Sequence, residues 1–286
     1  MRISEIYDGE RPVFSFEFFP PKTAEGAGKL LATVADLKDA LAPDFVSVTC
    51  GAGGSTRDRT LECVTGIQGN LGITAMAHLT CAEVSADDIR ENMQLLLANG
   101  VENLLALRGD PPADGRRMVT VQDGFAHASD LVEFLEDNYD VDIGGACYPE
   151  GHIESSGLDE DLQWTRHKID RGARFLITQL FFDNAHYFGF VERARSAGID
   201  VPIVPGIMPI TNRVQVERFT AMCGASLPEE LAERLARCGD DAAKCMATGI
   251  EHAILQCRAL LEGGAPGVHF YTLNKSHATR TVLAAV

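Results

Sequence analysis

Eight short apolar runs alternate with amphipathic stretches along almost the whole chain, and this alternation limits the possible folds more than any other feature. The apolar runs predict strands at 13–19, 44–49, 74–79, 103–107, 142–148, 175–179, 201–205 and 267–273. The amphipathic stretches predict helices near 24–41, 57–69, 85–99, 125–139, 159–172, 184–197, 211–223, 228–262 and 277–286. Strands that alternate with helices in this way form a parallel sheet that the helices cover.

The length of the chain fits a sheet that closes on itself. Single α/β barrels commonly have about the 286 residues found here, and no linker rich in Pro, Gly or Ser divides the sequence. We therefore expect one domain, residues 1–286, folded as a single (β/α)8 TIM barrel. An open doubly wound sheet is the alternative, but eight nearly equal units favour closure.

The charge and hydropathy of the chain exclude several classes of partner. A formal net charge of −16 argues against nucleic acid or an anionic membrane as the main partner, because either would require a basic surface. The N-terminus lacks an apolar signal core. The longest stretch without Asp, Glu, Lys or Arg, 63–82, still contains polar residues and three glycines. We expect a soluble, cytoplasmic protein with no membrane span.

The cysteine and histidine spacing does not predict a metal site. The eight cysteines form no CxxC pair, so we expect free thiols in a reducing compartment. No HxH pair and no GxSxG elbow occurs either. The glycine-rich turn at 51–56 could contact a phosphate, but it does not complete GxGxxG, and a tight strand-to-helix turn explains it equally well.

A glutamate stands inside the most aromatic predicted strand, Val13-Phe14-Ser15-Phe16-Glu17-Phe18-Phe19. Strand alternation places Ser15, Glu17 and Phe19 on the face opposite Phe14, Phe16 and Phe18. Apolar walls disfavour the ionised form of a carboxyl and raise its pKa. A structural carboxylate paired with an Arg or a backbone amide is the alternative to a functional acid.

Polar residues follow nearly every predicted strand. These residues are Glu17, Thr49, His78, Asp110, Tyr148, Gln179 and the segment Thr272-Asn274. The C-terminal ends of the strands form the active-site face of such barrels, so these side chains should meet at one rim. Taken singly, His78 could be an ordinary core histidine and Asp110 a turn residue before two prolines.

Seven strings in the chain resemble methylenetetrahydrofolate reductases. They are Ser15-Phe16-Glu17-Phe18-Phe19-Pro20-Pro21-Lys22, Val46-Ser47-Val48-Thr49-Cys50-Gly51, His78-Leu79-Thr80-Cys81, Ala106-Leu107-Arg108-Gly109-Asp110, Thr178-Gln179-Leu180-Phe181-Phe182-Asp183, Pro205-Gly206-Ile207-Met208-Pro209 and His269-Phe270-Tyr271-Thr272-Leu273-Asn274. They occur in the order of that family and span most of the chain. The resemblance is to the bacterial form, which consists of the catalytic barrel alone.

This resemblance implies a barrel that binds FAD noncovalently and uses NADH or NADPH as co-substrate. The flavin, once reduced, would convert 5,10-methylenetetrahydrofolate to 5-methyltetrahydrofolate, in one-carbon and methionine metabolism. Opening the methylene bridge requires a proton on a pterin nitrogen, and an acid kept protonated by apolar surroundings suits that step. The partners would be small molecules, and the protein is expected to form a homo-oligomer.

The resemblance also assigns the site residues. Glu17 would be the acid, and Asp110 would lie near both flavin and pterin. The expected FAD-binding residues are Thr49, His78, Arg108, Gly109, Asp110, Ala128, Tyr148, His152, Asp161 and Lys168. The expected substrate-binding residues are Glu17, Asp110, Gln179, Gln215, Phe219 and Lys275. Without the resemblance, Phe219 would be interpreted as helix core.

Three positions depart from the family pattern. Trp164 stands where Asn is usual, and His167 stands where Arg is usual, both on the helix expected to face the adenosine and diphosphate of FAD. Lys275 replaces an Arg expected to meet the folate carboxylates, which keeps the charge but loses the bidentate fork. The alternative functions are a flavin-free pterin-binding methyltransferase and a folate or flavin binder without turnover.

Overall fold

The chain forms a closed parallel barrel surrounded by helices. The computed structural model describes residues 1–51, 56–110 and 119–286. The strands are β1 (Val13–Phe18), β2 (Phe45–Val48), β3 (Thr74–Thr80), β4 (Asn103–Leu107), β5 (Asp142–Cys147), β6 (Phe175–Thr178), β7 (Ile203–Val204), β8 (Gly206–Ile207) and β9 (Gly267–Tyr271). Their order in the sheet is β7-β6-β5-β4-β3-β2-β1-β9-β8, and all neighbouring strands are parallel. The prediction of a (β/α)8 barrel is confirmed.

The seventh barrel strand is split in two by Pro205. β7 pairs with β6, and β8 pairs with β9, so the two short pieces together close the ring. The predicted strand 201–205 contains β7 but does not extend to β8, because Pro205 has no N–H to donate to the sheet and interrupts the strand. The Pro205 carbonyl still accepts a hydrogen bond from the amide of His269 at 2.9 Å.

The helices largely match the predicted positions. They are α1 (Ile3–Ile6), α2 (Ala24–Leu41), α3 (Arg57–Leu71), α4 (Ala86–Ala98), α5 (Ala128–Asn138), α6 (Leu158–Asp170), α7 (Asn184–Ser196), α8 (Arg213–Cys223), α9 (Glu229–Ala236), α10 (Ala242–Glu262) and α11 (Ser276–Leu283). The prediction of one helical segment over 228–262 was wrong, because this part of the chain forms two helices, α9 and α10. Gly239 has a positive φ of 54°, and Asp241 starts a new helix by accepting from the Lys244 amide.

Alternating side chains of the strands pack into two different apolar cores, one outside the sheet and one inside the barrel. Phe16 and Phe18 face outward into a cluster between strands and helices, as the alternation of β1 predicted. A smaller cluster lies inside the barrel near its N-terminal end and includes Val13, Phe45, Met76 and Phe175. The inward face of β1 then continues with Ser15 and Glu17 toward the opposite rim.

The short helix α1 closes the N-terminal end of the barrel. Ile3 is fully buried and packs in the interior cluster. Its amide donates to Asn103 Oδ1 at 2.9 Å, and the Ser4 amide and hydroxyl each donate to Asp142 at 2.8 Å. Asn103 and Asp142 are buried at the start of their strands, and the first residues of the chain satisfy their side chains. Access to the barrel interior is therefore from the C-terminal rim.

Candidate active site

Glu17 lies inside the barrel between two histidines. Its side chain is 8% exposed, and its Oε2 atom is 3.4 Å from His269 Nε2 and 3.3 Å from His78 Nε2. The His269 contact has hydrogen-bond geometry, whereas His78 Nε2 makes no aligned hydrogen bond. The other ring nitrogen of His269, Nδ1, is 2.7 Å from the hydroxyl of Ser15. Ser15, His269 and Glu17 thus form a continuous line of hydrogen-bonding groups along the barrel wall.

His78 is held neutral by its surroundings. Burial lowers the pKa of its imidazole to about 4, because the charged form would lose its hydration. The Glu17 carboxylate opposes this shift, and His269 adds to it. A neutral imidazole beside Glu17 can donate or accept one hydrogen bond but does not form a permanent ion pair with the carboxylate.

The backbone that carries Glu17 is fixed by the segment after β9. The hydroxyl of Thr272 donates to the Glu17 carbonyl at 2.6 Å. The amide side chain of Asn274 pairs with both backbone groups of Phe19, at 2.8 and 2.9 Å. Leu273 and Asn274 adopt positive φ values of 52° and 59°, which brings this segment close to β1. The side chain of Glu17 is therefore held at a defined depth below the rim.

Tyr271 connects Glu17 with the next part of the site. Its hydroxyl donates to the Thr178 carbonyl at 2.6 Å. Burial raises the pKa of this phenol well above its ordinary value, and the nearby Glu17, Cys147 and Tyr148 raise it further. Tyr271 stays protonated and acts as a fixed donor from β9 to β6.

A second group of predicted residues gathers where β4, β5 and α6 meet. Arg108 donates to Glu154 at 2.5 Å, and this hydrogen bond raises the pKa of the guanidinium and lowers that of the carboxyl. The amide of His152 donates to Asp161 at 3.3 Å. Burial lowers the pKa of the His152 imidazole, and the charge of Arg108 adds to that effect. Together these residues join an arginine, a histidine and two carboxylates within one small region.

Lys168 and Tyr148 also belong to this second group. Lys168 is 8% exposed, and its ammonium donates to the Ala146 carbonyl. The ammonium also lies 5.8 Å from the centre of the Tyr148 ring. Burial lowers the pKa of Lys168, while Cys147 and Asp161 oppose this shift. The ring of His152 packs edge-on against Tyr148 with centroids 4.7 Å apart.

The remaining predicted FAD residues lie along the rim from β2 to α5. Thr49 follows β2, and its carbonyl accepts from the Thr60 hydroxyl at 2.7 Å. Gly109 follows β4 with a positive φ of 97°, a conformation that favours glycine. Ala128 is the first residue of α5. Ala128 therefore lies at the N-terminus of the helix that follows β4.

The predicted substrate residues are more dispersed. Asp110 is exposed, yet its charge raises the pKa of Tyr148, so it faces the second group. Gln179 follows β6, and its side-chain oxygen accepts from the Leu180 amide at 2.9 Å. Phe219 packs on a separate apolar cluster beside Tyr271. Gln215 on α8 and Lys275, which precedes α11, lie further out on the rim.

Some of the sequence predictions lie outside the described structure. The described residues do not include 52–55, which belong to the glycine-rich turn. They also do not include the proline-containing segment 111–118. Among the described residues, no group of three His, Cys, Asp or Glu side chains could hold a metal ion. All eight cysteines are free, as expected, and six of them are buried. No helix in the described ranges has the length and hydropathy of a membrane span.

Sequence reasoning missed three members of the Glu17 group. Ser15, His269 and Tyr271 lie within the family-like strings, but the sequence did not predict them as site residues. The two-residue period of the strands could have identified them. Ser15 lies on the same face of β1 as Glu17, and His269 and Tyr271 share one face of β9. The register that makes His269 the partner of Ser15 across β1 and β9 appears only in the folded sheet.

The comparisons with known proteins agree with these features. The family model described as "Methylenetetrahydrofolate reductase" matches residues 2–286. The 5,10-methylenetetrahydrofolate reductase of Escherichia coli is 39% identical over 269 residues, which cover 94% of this chain and 88% of that protein. Methylenetetrahydrofolate reductase (NADH) 1 of Arabidopsis thaliana is 39% identical over 284 residues, which cover 96% of this chain and 48% of that protein.

A solved structure supports the fold independently of sequence. It is an uncharacterized protein from Clostridium thermocellum that binds two copies of 5-methyl-5,6,7,8-tetrahydrofolic acid. It superposes with a TM-score of 0.65 at 18% identity, covering 100% of this chain and 98% of that one. The chain spans about half the length of the plant and fission-yeast relatives that it matches. By its family match and its identity to the bacterial relatives, the chain belongs to the methylenetetrahydrofolate reductase family.

Proposed function

We propose that this chain reduces 5,10-methylenetetrahydrofolate to 5-methyltetrahydrofolate with NADH or NADPH, using noncovalently bound FAD. The observation that carries the proposal is Glu17, a buried carboxyl connected to His269 and Ser15 at the accessible end of the barrel. Such a group is arranged to hold or move a proton. Family membership supports the choice of substrate and reaction.

The residues at the rim suit a flavin dinucleotide. A diphosphate requires cationic donors, and Arg108 and Lys168 supply them on a protein whose net charge is −16. Inside the barrel, the buried Ser47 hydroxyl and His78 Nε2 have no hydrogen-bond partner within the described residues, so they are available to a bound polar ring. Bound FAD would supply the two-electron chemistry, by taking hydride from the nicotinamide nucleotide and giving it to the folate.

Glu17 would donate the proton that opens the methylene bridge of the folate. When the proton reaches a pterin nitrogen, the bond from that nitrogen to the methylene carbon breaks, and an iminium remains that can accept hydride. His269, itself hydrogen-bonded to the Ser15 hydroxyl, would hold the carboxyl in position for this transfer. His78 lies 3.3 Å from the carboxyl on its other side and, because it is neutral, forms no permanent ion pair with it.

The other predicted residues would bind and orient. Gln179 has an amide that can pair with the edge of either the pterin or the nicotinamide. Asp110 would bind the folate and place a negative charge near the flavin. Phe219 and Gln215 on α8 would contact the substrates from above, and Lys275 would meet the folate carboxylates. Assembly into a homo-oligomer remains a prediction from the sequence.

The visible spectrum of the purified protein tests this function. We expect a flavin spectrum that bleaches on addition of NADH or NADPH and returns on addition of methylenetetrahydrofolate. Acid precipitation should release intact FAD, and chelators should leave activity unchanged. A colourless protein that binds folate, and to which added FAD does not bind, would instead indicate the flavin-free methyltransferase or a simple folate binder.

A further inference from the structure

Three exposed aromatic rings form a stack at the edge of the second group of site residues. The rings of His127 and Trp164 are 4.6 Å apart with an angle of 26° between their planes. The rings of Trp164 and His167 are 5.9 Å apart and inclined by 20°. Trp164 is 38% exposed, and both histidines are exposed. We call these three residues the aromatic platform.

The platform lies beside the buried face of α6. That face consists of Asp161, Thr165 and Lys168. Trp164 is three residues after Asp161 and four before Lys168, so the three side chains are neighbours along one stripe of the helix. His127 is the residue that precedes α5. Both helices start at the C-terminal ends of barrel strands, and this places the platform on the active-site side of the molecule.

The positive groups of the site border the platform directly. The pKa of Glu154 is lowered by Arg108 first, and then by His152 and His127. Arg108, His152 and His127, which come from three different segments, therefore lie within electrostatic range of Glu154. An anion that displaces Glu154 from Arg108 would also come close to the His127 ring. The site thus offers cationic donors next to flat aromatic surface.

A ligand with a diphosphate joined to a flat base matches this pair of features. We propose that the aromatic platform binds the adenine ring of the FAD cofactor by stacking, an inference that rests on the function proposed above. The stacked rings of His127 and Trp164 would meet the adenine, and the Arg108 guanidinium would meet the diphosphate.

The nicotinamide nucleotide also contains adenine, but it is the weaker match. It must bind and leave in every turnover, whereas the flavin remains in place, and a contact that adds affinity suits the group that stays. Stacking of a base on an aromatic side chain, judged by alanine substitution, strengthens binding by about 10-fold or more, and tenfold corresponds to about 1.4 kcal/mol. The platform assigned here therefore has a measurable effect on FAD affinity.

Trp164 is the only tryptophan in the chain, so its fluorescence reports on the platform alone. The test uses apoprotein prepared by removing the flavin. Addition of ADP, which carries adenine and diphosphate but no flavin, should quench the tryptophan emission saturably, and FAD should compete with ADP. ADP that competes with FAD without changing the emission would place the adenine away from Trp164 and overturn the platform.

Titration of apoprotein variants with FAD gives the second measurement. Trp164→Ala should raise the Kd for FAD about 10-fold or more, and Trp164→Phe should recover most of the loss because it keeps a flat ring. Leu255→Ala is the matched control, since Leu255 is 56% exposed on α10 and lies away from the rim. Circular dichroism should be the same for all variants, because Trp164 lies on the surface.

The outcomes separate this inference from the proposed function. Wild-type apoprotein that fails to bind FAD would overturn the proposed function. FAD binding by Trp164→Ala equal to wild type would overturn the platform and leave that function intact. With FAD saturating, the KM for NADH should not change in Trp164→Ala. An increase in that KM with unchanged FAD affinity would assign the platform to the nicotinamide nucleotide and contradict the inference.

Discussion

Single residues decide the chemistry of this site, and Glu17 shows how. The sequence places it on a strand with phenylalanines, yet its nearest polar partners are His78 and His269, which come from β3 and β9. The phenylalanines of β1 point to the other face. A carboxyl between two imidazoles can give up and regain a proton through its neighbours, which a carboxyl paired with arginine cannot do easily.

Glu17→Gln should separate the two halves of the proposed reaction. Gln keeps the size and hydrogen-bonding reach of the side chain but has no proton to donate. Methylenetetrahydrofolate reduction should fall about 10²–10⁴-fold, which is the usual contribution of a positioned general acid. Oxidation of NADH with an artificial electron acceptor should persist, because it requires no proton on the folate. Rapid mixing measures both reactions on one preparation.

Glu262→Gln provides the control for this variant, because Glu262 is exposed at the end of α10. It should leave both reactions unchanged. An equal loss of both in Glu17→Gln would make Glu17 a structural residue that holds the barrel or the cofactor. If neither reaction slowed, the proton would have to come from another group.

His78 should make the stability of the fold depend on pH. Its pKa is about 4 in the folded chain and 6.5 when unperturbed. Between these values the unfolded chain binds a proton that the folded chain does not, so stability falls as pH decreases from 6.5 toward 4. From pH 7 to pH 5 this single group should cost about 2 kcal/mol of unfolding free energy.

Urea denaturation at the two pH values measures this effect. Other groups titrate in the same range, so the comparison is between wild type and His78→Gln, which cannot be protonated. The variant should lose about 2 kcal/mol less than wild type over that interval. Equal losses of unfolding free energy in the two proteins would mean that the pKa of His78 in the folded chain is the ordinary one.

At the scale of elements, periodicity predicted nearly all strands and helices but not their interruptions. The period of two in β1 identified which residues face the barrel, because burial on both sides left no freedom of register. The split at Pro205 and the break near Gly239 depend on single residues inside longer apolar patterns. α1 was not predicted because four residues are too short to show a period.

The same distinction holds for the candidate site. The end of each strand could be located from the sequence, so residues such as Glu17, His78 and Tyr148 were identified as rim residues. The side chains that contact these residues could not be predicted. Contacts such as Arg108 with Glu154 join residues 46 positions apart and depend on the conformation of loops. The stack of His127 on Trp164 likewise requires α5 and α6 to be packed side by side.

Close packing of α10 against the end of the barrel gives a prediction at this scale. A Cβ atom added to Gly249 would lie 2.0 Å from the Ile210 carbonyl oxygen, so the helix would have to move. Gly249→Ala should therefore destabilise the fold by about 1–3 kcal/mol despite the better helix propensity of alanine. Urea denaturation monitored by circular dichroism measures the change.

Gly69 on α3 offers the matched control. It is a helical, exposed glycine with no atom within 4 Å of an added Cβ. Gly69→Ala should stabilise the fold by about 0.5–1 kcal/mol, because only the backbone entropy of glycine is removed. Opposite signs for the two substitutions would support close packing at α10. If Gly249→Ala were also stabilising, α10 would have to lie further from the barrel than the structure places it.

At the scale of the whole molecule, the closure of one barrel end determines how ligands can reach the site. α1 and the interior cluster around Ile3 and Phe45 fill the N-terminal end. Glu17 lies above this cluster on the inward face of β1, on the side of the C-terminal rim. Any ligand that is to reach Glu17 must therefore enter through the rim. Folate and nicotinamide nucleotide would share that entrance.

A shared entrance predicts ping-pong kinetics for the proposed reaction. With the flavin in place, the space above Glu17 would accept one substrate at a time, and Gln179 would serve the ring edge of each in turn. Initial rates measured at several fixed concentrations of folate should give parallel lines in double-reciprocal plots against NADH. High concentrations of either substrate should inhibit competitively with the other, since each would occupy the position that the other requires. Intersecting lines would mean that both substrates bind at once, and the nicotinamide nucleotide would then need a second approach that does not pass over Glu17.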